Sequence, residues 1–360
     1  MDLATYLAAL NQRIPLSKAA SWDKVGLQVG DRATTCDKVG VCHEVTAAVV
    51  TAATEANVDL LVAYHPLLFD PVTAFVAGAS PSGRAYSLTR AGIALHVVHT
   101  AWDVAPGGSA DALAAVLGLD NPTPFGPEWG SDTVKIVTFV PTENVDAVAD
   151  ALAGAGAGSV GHYTGANFRV EGEGRFTPGP HADPAIGVPG VPESVVETRL
   201  EMIAAKRNLA GIVAALVEAH PYEEPAYDIV AVSANAGFIG RRGRRAAPQP
   251  LDEFVAHVDE ILGTRSRVAG ESTKEVGSVA VVPGSGGSFV GAIAGAVDVL
   301  VTGDISHHTA QEALSRGTAI VDCGHAPSER PGMRSLLRAV EELGCDTIDL
   351  TTINTNPWRE

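Results

Sequence analysis

Cysteine is scarce in this sequence. Its 360 residues carry four, Cys36, Cys42, Cys323 and Cys345, and no two of them form a Cys-x-x-Cys pair. That argues against a disulfide framework and a thiolate zinc knuckle, and leaves buried reduced thiols as the expectation. Long apolar runs are also lacking, because the best stretches, 45–53 and 292–301, are interrupted by Thr or Asp. Neither approaches the roughly 20 residues of a membrane-spanning helix. Positive charge is in deficit: 25 Lys and Arg stand against 42 Asp and Glu, for a net charge of −17. Such a chain repels a phosphate backbone, which argues against nucleic acid as a partner. Residues 1–13 have Asp2 where a secretion signal needs positive charge and no apolar region behind it, so a cytoplasmic location is expected.

What is present is a globular composition, 46% hydrophobic and 19% charged, with enough length for two or three domains. Short β-branched runs at 39–42, 58–64 and 93–99 alternate with helical stretches at 47–57, 82–91 and 109–117, which is α/β organisation. The same rhythm returns late in the chain, with helices at 251–262, 309–315 and 332–343 and strands at 276–282, 297–301 and 319–323. Between the two lies a different texture. A Pro-, Gly- and Asn-rich segment at 121–130 leads to strand 134–140, helix 145–152, a Gly-rich meander at 154–190, strand 195–203, helix 209–219 and strand 226–232. Two β-α-β units of this kind form a small α+β sandwich. The expected organisation is an α/β outer domain at 1–128 and 238–360, interrupted by an inserted α+β domain at 129–237.

Open α/β sheets place ligands at the carboxyl ends of their strands. One apolar run enters Tyr64-His65-Pro66, another His99-Thr100-Ala101-Trp102-Asp103, and a third Cys323-Gly324-His325 with Glu329 following. His325 and Glu329 are spaced to share one helix face. Convergence of these ends gives imidazoles and carboxylates suited to divalent zinc, iron, manganese or nickel, with a carboxylate able to bridge two ions. Thr302-Gly303-Asp304-Ile305-Ser306-His307-His308 reads equally as a helix N-cap, with Ser306 or Asp304 accepting from first-turn amides, or as a source of metal-site partners or proton carriers in Asp304 and His308.

Three other features have weaker signals. His220-Pro221-Tyr222-Glu223-Glu224-Pro225 sets one imidazole beside two carboxylates, though a rigid turn explains it as well. The loop 284–288 before an expected helix at 290–296 could cradle an anion, but it lacks the lysine of a P-loop. Arg241, Arg242, Arg244 and Arg245 form a local basic cluster, explained by strand positions or a subunit contact as readily as by phosphate.

These residues resemble, over nearly the whole chain, the Nif-three-like family of hexameric dinuclear-metal-centre proteins, also known as GTP cyclohydrolase I type 2 homologues. The resemblance is carried by Ser21-Trp22-Asp23-Lys24-Val25-Gly26-Leu27-Gln28-Val29-Gly30, by Tyr64-His65-Pro66-Leu67-Leu68-Phe69, by His99-Thr100-Ala101-Trp102-Asp103 with Pro106-Gly107-Gly108, by Thr302-Gly303-Asp304-Ile305 with His308, and by Gly324-His325 with Glu329. It implies a two-lobed α/β outer domain, a toroidal homo-hexamer with metal pairs facing an internal cavity, and an inserted domain of the PII and copper-tolerance type. The family's ligands map onto His65, Asp103, His325 and Glu329, while the first His of its His-His pair is Tyr64 here. Glu44 stands where its first strand commonly ends in Asp.

A neutral phenol, with a pKa near ~10, is a poorer ligand than imidazole. Of two divalent ions (zinc, iron or manganese), one is therefore expected to bind more weakly, with water or the Tyr64 oxygen completing its site. The resemblance leaves two functions open. One is a metal-dependent hydrolase, for example a cyclohydrolase acting on a guanine nucleotide, in which Asp103 or Glu329 bridges the ions and Asp304 or His308 handles the proton. The other is a metal carrier or hexameric regulatory scaffold without turnover.

Overall fold

Two open sheets carry most of the chain. The computed structural model describes residues 1–129, 133–232 and 237–358. The chain divides into one unit of residues 1–130 with 236–360 and a second of residues 131–235. The junctions anticipated near Ser131 and Ala234 lie outside the described residues.

In the larger unit the first sheet runs, in spatial order, Gly26–Val29, Ala94–Val97, Leu60–Ala63, Lys38–Cys42 and Asp346–Asp349. The last four strands are parallel and Gly26–Val29 is an antiparallel edge. Leu60–Ala63 and Ala94–Val97 are buried at every position, as strands are when both faces of a parallel sheet are covered, and all but His96 are apolar. One face packs Val49, Leu61 and Leu88, the other Tyr6, Leu10, Val62 and Leu336. Local chemistry delimits the covering helices. Thr46 caps Ala47–Glu55, while Pro81–Ala91 has Ser80 as N-cap, proline at its start and left-handed Gly92 at its end.

The second sheet runs Arg267–Ala269, Ala319–Asp322, Val299–Gly303, Glu275–Ser285, Gly237–Pro250 and Asp120–Trp129. Its central three strands are parallel and the remaining pairs antiparallel. Phe254 and Val258 of helix Leu251–Leu262 pack on Val279, Val299 and Val321.

Several expectations need correction. The Pro-rich segment, assigned no strand from sequence, is the edge strand Asp120–Trp129, a position that tolerates proline because its outer side donates to no neighbour. The last long helix is His325–Glu341, beginning seven residues before the expected 332 and carrying Pro331 inside it. The expected helix at 290–296 is only Val290–Ile293, too short to offer an anion site. The basic cluster is largely absorbed by the fold: Arg241 pairs with Asp111, and Arg245 lies 5.3 Å over the Phe254 ring.

The smaller unit is a four-stranded antiparallel sheet in the order Asn167–Phe176, Glu193–Ala205, Thr133–Pro141 and Tyr227–Ala231. Helices Val145–Gly154 and Leu209–Ala219 cover one face through Ile136, Val148, Leu152, Leu200 and Ile212. The first of these strands emerges from the Gly-rich stretch read as a meander. Among the described residues no helix is long and apolar enough to cross a membrane.

Candidate metal centre

Three neighbouring parallel strands end together. Lys38–Cys42 leads to His43, Leu60–Ala63 to Tyr64 and His65, and Ala94–Val97 to Val98 and His99. Sheet-like backbone bonds continue past the strands and fix this register, from Tyr64 N–H to the Cys42 carbonyl at 3.0 Å, His65 to His43 at 2.9 Å and His99 to Tyr64 at 2.9 Å. His99 takes a φ of +28°, a region that side-chain-bearing residues rarely adopt and that concentrates at functional sites. From the other sheet, strand Ala319–Asp322 turns at Gly324, whose φ is +86°, into the helix that begins with His325 and carries Glu329 one turn on.

Glu329 is the hub. It is 2% exposed, and its Oε2 lies 2.8 Å from His43 Nε2 and 3.1 Å from His65 Nε2. Its Oε1 lies 3.1 Å from His325 Nε2 and accepts from the Tyr64 hydroxyl at 3.3 Å. The ligand atoms of His43, His65 and Glu329 all fall within 4.8 Å of one another. Gly284 closes the back of the site, since a Cβ there would stand 2.5 Å from Glu329 Oε1. Asp103 is buried and accepts from the same Tyr64 hydroxyl. His99 packs 5.0 Å from the His65 ring and is held from behind, its Nδ1 2.8 Å from Asp23 Oδ1.

Charge in this pocket is unevenly spread. Burial raises the Glu329 carboxyl, but the imidazoles of His65, His325 and His43 outweigh it and hold the group well below the ordinary carboxylate range. Burial pushes Asp103 up to about 7. Tyr64 is driven well above the usual phenol value by burial and by the two carboxylates, which favours the neutral hydroxyl. Burial lowers His325, yet Glu329 and Asp304 raise it to about 10.

Of the residues singled out by sequence, His65, His325 and Glu329 meet directly, and Asp103 joins them through Tyr64. Asp304, with φ +57°, reaches His325 Nδ1 at 2.6 Å. His308 stands apart, exposed on helix His307–Ser315 with its ring against His307, and makes no hydrogen bond to the cluster among the described residues. Two participants were missed. His43 directly follows strand Lys38–Cys42, so the strand-end rule reaches it, one residue before Glu44. Asp23 belongs to the N-terminal signature, and nothing local announces its contact with His99.

The larger unit thus defines an α/β protein with a buried histidine and carboxylate cluster at its strand ends, of the donor types that hold divalent metal. A family model described as Duf34/NIF3 (NGG1p interacting factor 3) matches residues 1–357, and the chain belongs to that family. It is 38% identical over 367 residues to the GTP cyclohydrolase 1 type 2 homolog of Mycobacterium tuberculosis, covering 99% of this chain and 96% of that protein. To the protein of the same name from Bacillus subtilis it is 36% identical over 317 residues, covering 86% and 84%. Among solved structures it resembles a Bacillus cereus protein related to NIF3, at 30% identity and a TM-score of 0.68, and a Staphylococcus aureus protein at 28% and 0.76. Both alignments cover 100% of this chain and 99% of the other.

Proposed function

We propose that this protein binds divalent metal at the strand-end cluster and uses it in hydrolysis of the cyclohydrolase type. The observation that supports this most is a single buried carboxylate, Glu329, facing three imidazoles and a phenol. The donor set fits such an ion: His43, His65 and Glu329 would hold one, and Asp103 and His325 are the remaining candidate donors for a second of zinc, iron or manganese type. When bound, such ions polarise a substrate oxygen and activate water at neutral pH.

The chain's own residues do the rest. Tyr64 enters as a neutral donor that orients Asp103 and Glu329, at the position where the resemblance places a His. Asp23 fixes the tautomer and direction of the His99 ring. Asp304, bound to His325 Nδ1 at the more exposed side of the cluster, handles the proton at its Oδ2. The chain acts as a homo-hexamer, as the family resemblance implies, and light scattering showing a stable monomer at micromolar concentration would oppose that.

Metal analysis of protein purified without chelators or nickel affinity, paired with a screen for phosphate and ring-opening hydrolysis, tests the function. Turnover that tracks metal content and is lost in Asp103→Ala supports the hydrolase. Full metal occupancy with no turnover assigns the carrier or scaffold role, and absence of metal overturns the reading.

A further inference from the structure

The inserted unit contains a cavity of about 890 Å³ that is separate from the metal cluster and uses the sequence motif left without a role. Its floor is the sheet face opposite the helices. Ile136, Leu200 and Met202 point into the helix-covered core, so by strand alternation Phe139, Glu197 and Arg199 lie on the open side. Gly172 pairs with Glu197 on that face, and Val170 with Arg199.

One wall is the loop His220-Pro221-Tyr222-Glu223-Glu224. Its imidazole is a splint: His220 is buried, Nε2 donates to the Phe139 carbonyl at 3.0 Å, and Nδ1 accepts from the Tyr222 amide at 3.1 Å. Burial lowers the pKa of this ring, in keeping with the neutral tautomer those two bonds require. Tyr222 is thereby set at the cavity, its ring 5.8 Å from Phe176 and its hydroxyl donating to Glu197 Oε1 at 2.8 Å.

Glu197 is what remains unexplained by folding. It is only 8% exposed, lines the cavity, and among the described residues has one hydrogen-bond partner, a neutral phenol. Among the described residues no Lys, Arg or His is within ion-pair reach of it, and its Oε2 accepts from no donor. Arg199, on the same face, is committed elsewhere, to Glu201 at 2.8 Å and over the Phe139 ring at 5.6 Å. Gly174 leaves the free oxygen its room, since a Cβ there would stand 2.0 Å from Oε2. Oε2 faces the cavity, where a ligand's donor or cation can meet it. The lining as a whole carries five glutamates against two arginines, with the aromatic rings of Phe139, Phe176 and Tyr222. Among the described residues no three metal-ligating side chains of this cavity converge on one point, and the volume is that of a small organic ligand.

We propose that this cavity binds a small organic cation, an amine, amidinium or guanidinium, whose N–H groups meet Glu197 Oε2 while its apolar body lies against the rings. The proposal stands apart from the metal reading. The probe is p-aminobenzamidine, titrated into the full chain by fluorescence, with its neutral carboxamide analogue as control. Saturable binding of one probe per chain is expected, with at least tenfold weakening in Glu197→Gln and no binding of the carboxamide. In the natural protein, hydrogen exchange should show probe-dependent protection at 172–176 and 220–226, a readout that holds even if the variant folds poorly. Binding unchanged in a folded Glu197→Gln, equal binding of the carboxamide, protection elsewhere, or no saturable binding at millimolar probe would each overturn it.

Discussion

The Tyr64 hydroxyl donates to Asp103 inside a closed core, so that the phenol is the neutral partner of a buried acid. Because the same hydroxyl also reaches Glu329, its removal leaves two buried carboxylates short of a donor. Tyr64→Phe should therefore destabilise the metal-free protein by about 1–3 kcal/mol, the usual cost of an unsatisfied buried polar group. Tyr64→His should place an imidazole beside Asp103 and tighten the weaker of two metal-binding steps, while Tyr64→Phe leaves the tighter step nearly unchanged. Calorimetric titration of the three proteins with zinc or manganese checks this; identical isotherms would remove Tyr64 from the site.

Glu329→Gln should abolish the coupling between metal and stability. In the natural protein, free metal at a hundredfold excess over its Kd should add about 2.7 kcal/mol to unfolding, and chelation should take it away. Urea titrations with and without zinc should coincide for Glu329→Gln, and the zinc-dependent shift should shrink in His43→Ala. A shift of undiminished size in either variant would show that its side chain is not a ligand.

His96 supplies a pH dependence independent of the cluster's occupancy. It is 3% exposed, neither ring nitrogen has a hydrogen-bond partner among the described residues, and burial lowers its pKa to about 4. The unfolded chain, with an ordinary imidazole near ~6.5, then binds a proton between those values that the folded chain refuses. Stability should accordingly fall as pH drops from about 6.5 towards 4, by about 2 kcal/mol at pH 5 from this one residue. His96→Leu should flatten that slope, as read from urea midpoints at pH 5 and 8. An unaltered slope would rule His96 out as its source.

Excision of the inserted unit should leave the metal cluster working. Trp129 and Gly237 are paired across adjacent antiparallel strands, so the cut ends already face each other and a two-residue turn can join them. Every residue of the cluster lies in the other unit. The shortened protein should retain its metal content on elemental analysis, and a folded but metal-free product would contradict that independence.

The interior strands were legible because a strand buried on both faces is mostly apolar, as Leu60–Ala63 is throughout and Ala94–Val97 is apart from His96. Edge strands carry no such mark. Asp346–Asp349 has one aliphatic residue in four and owes its conformation to parallel pairing with Lys38–Cys42. The site was legible to the same degree: His65, His325 and Glu329 follow from strand ends and helix spacing. Asp23 and the Tyr64 bridge exist only through contacts between segments distant in sequence.

Helix His325–Glu341 starts at the end of a strand of one sheet, and its later residues Leu336 and Val340 are buried in the core of the other. An ion held by His43 and Glu329 would therefore join points 286 residues apart in the chain. Tying ends so distant removes much of the freedom of the unfolded polymer, as a covalent cross-link of that span does. The ion in such a place serves as a reversible staple, and for this chain, with its few unpaired cysteines, a chelator would do what a reductant does to a disulfide-bonded protein.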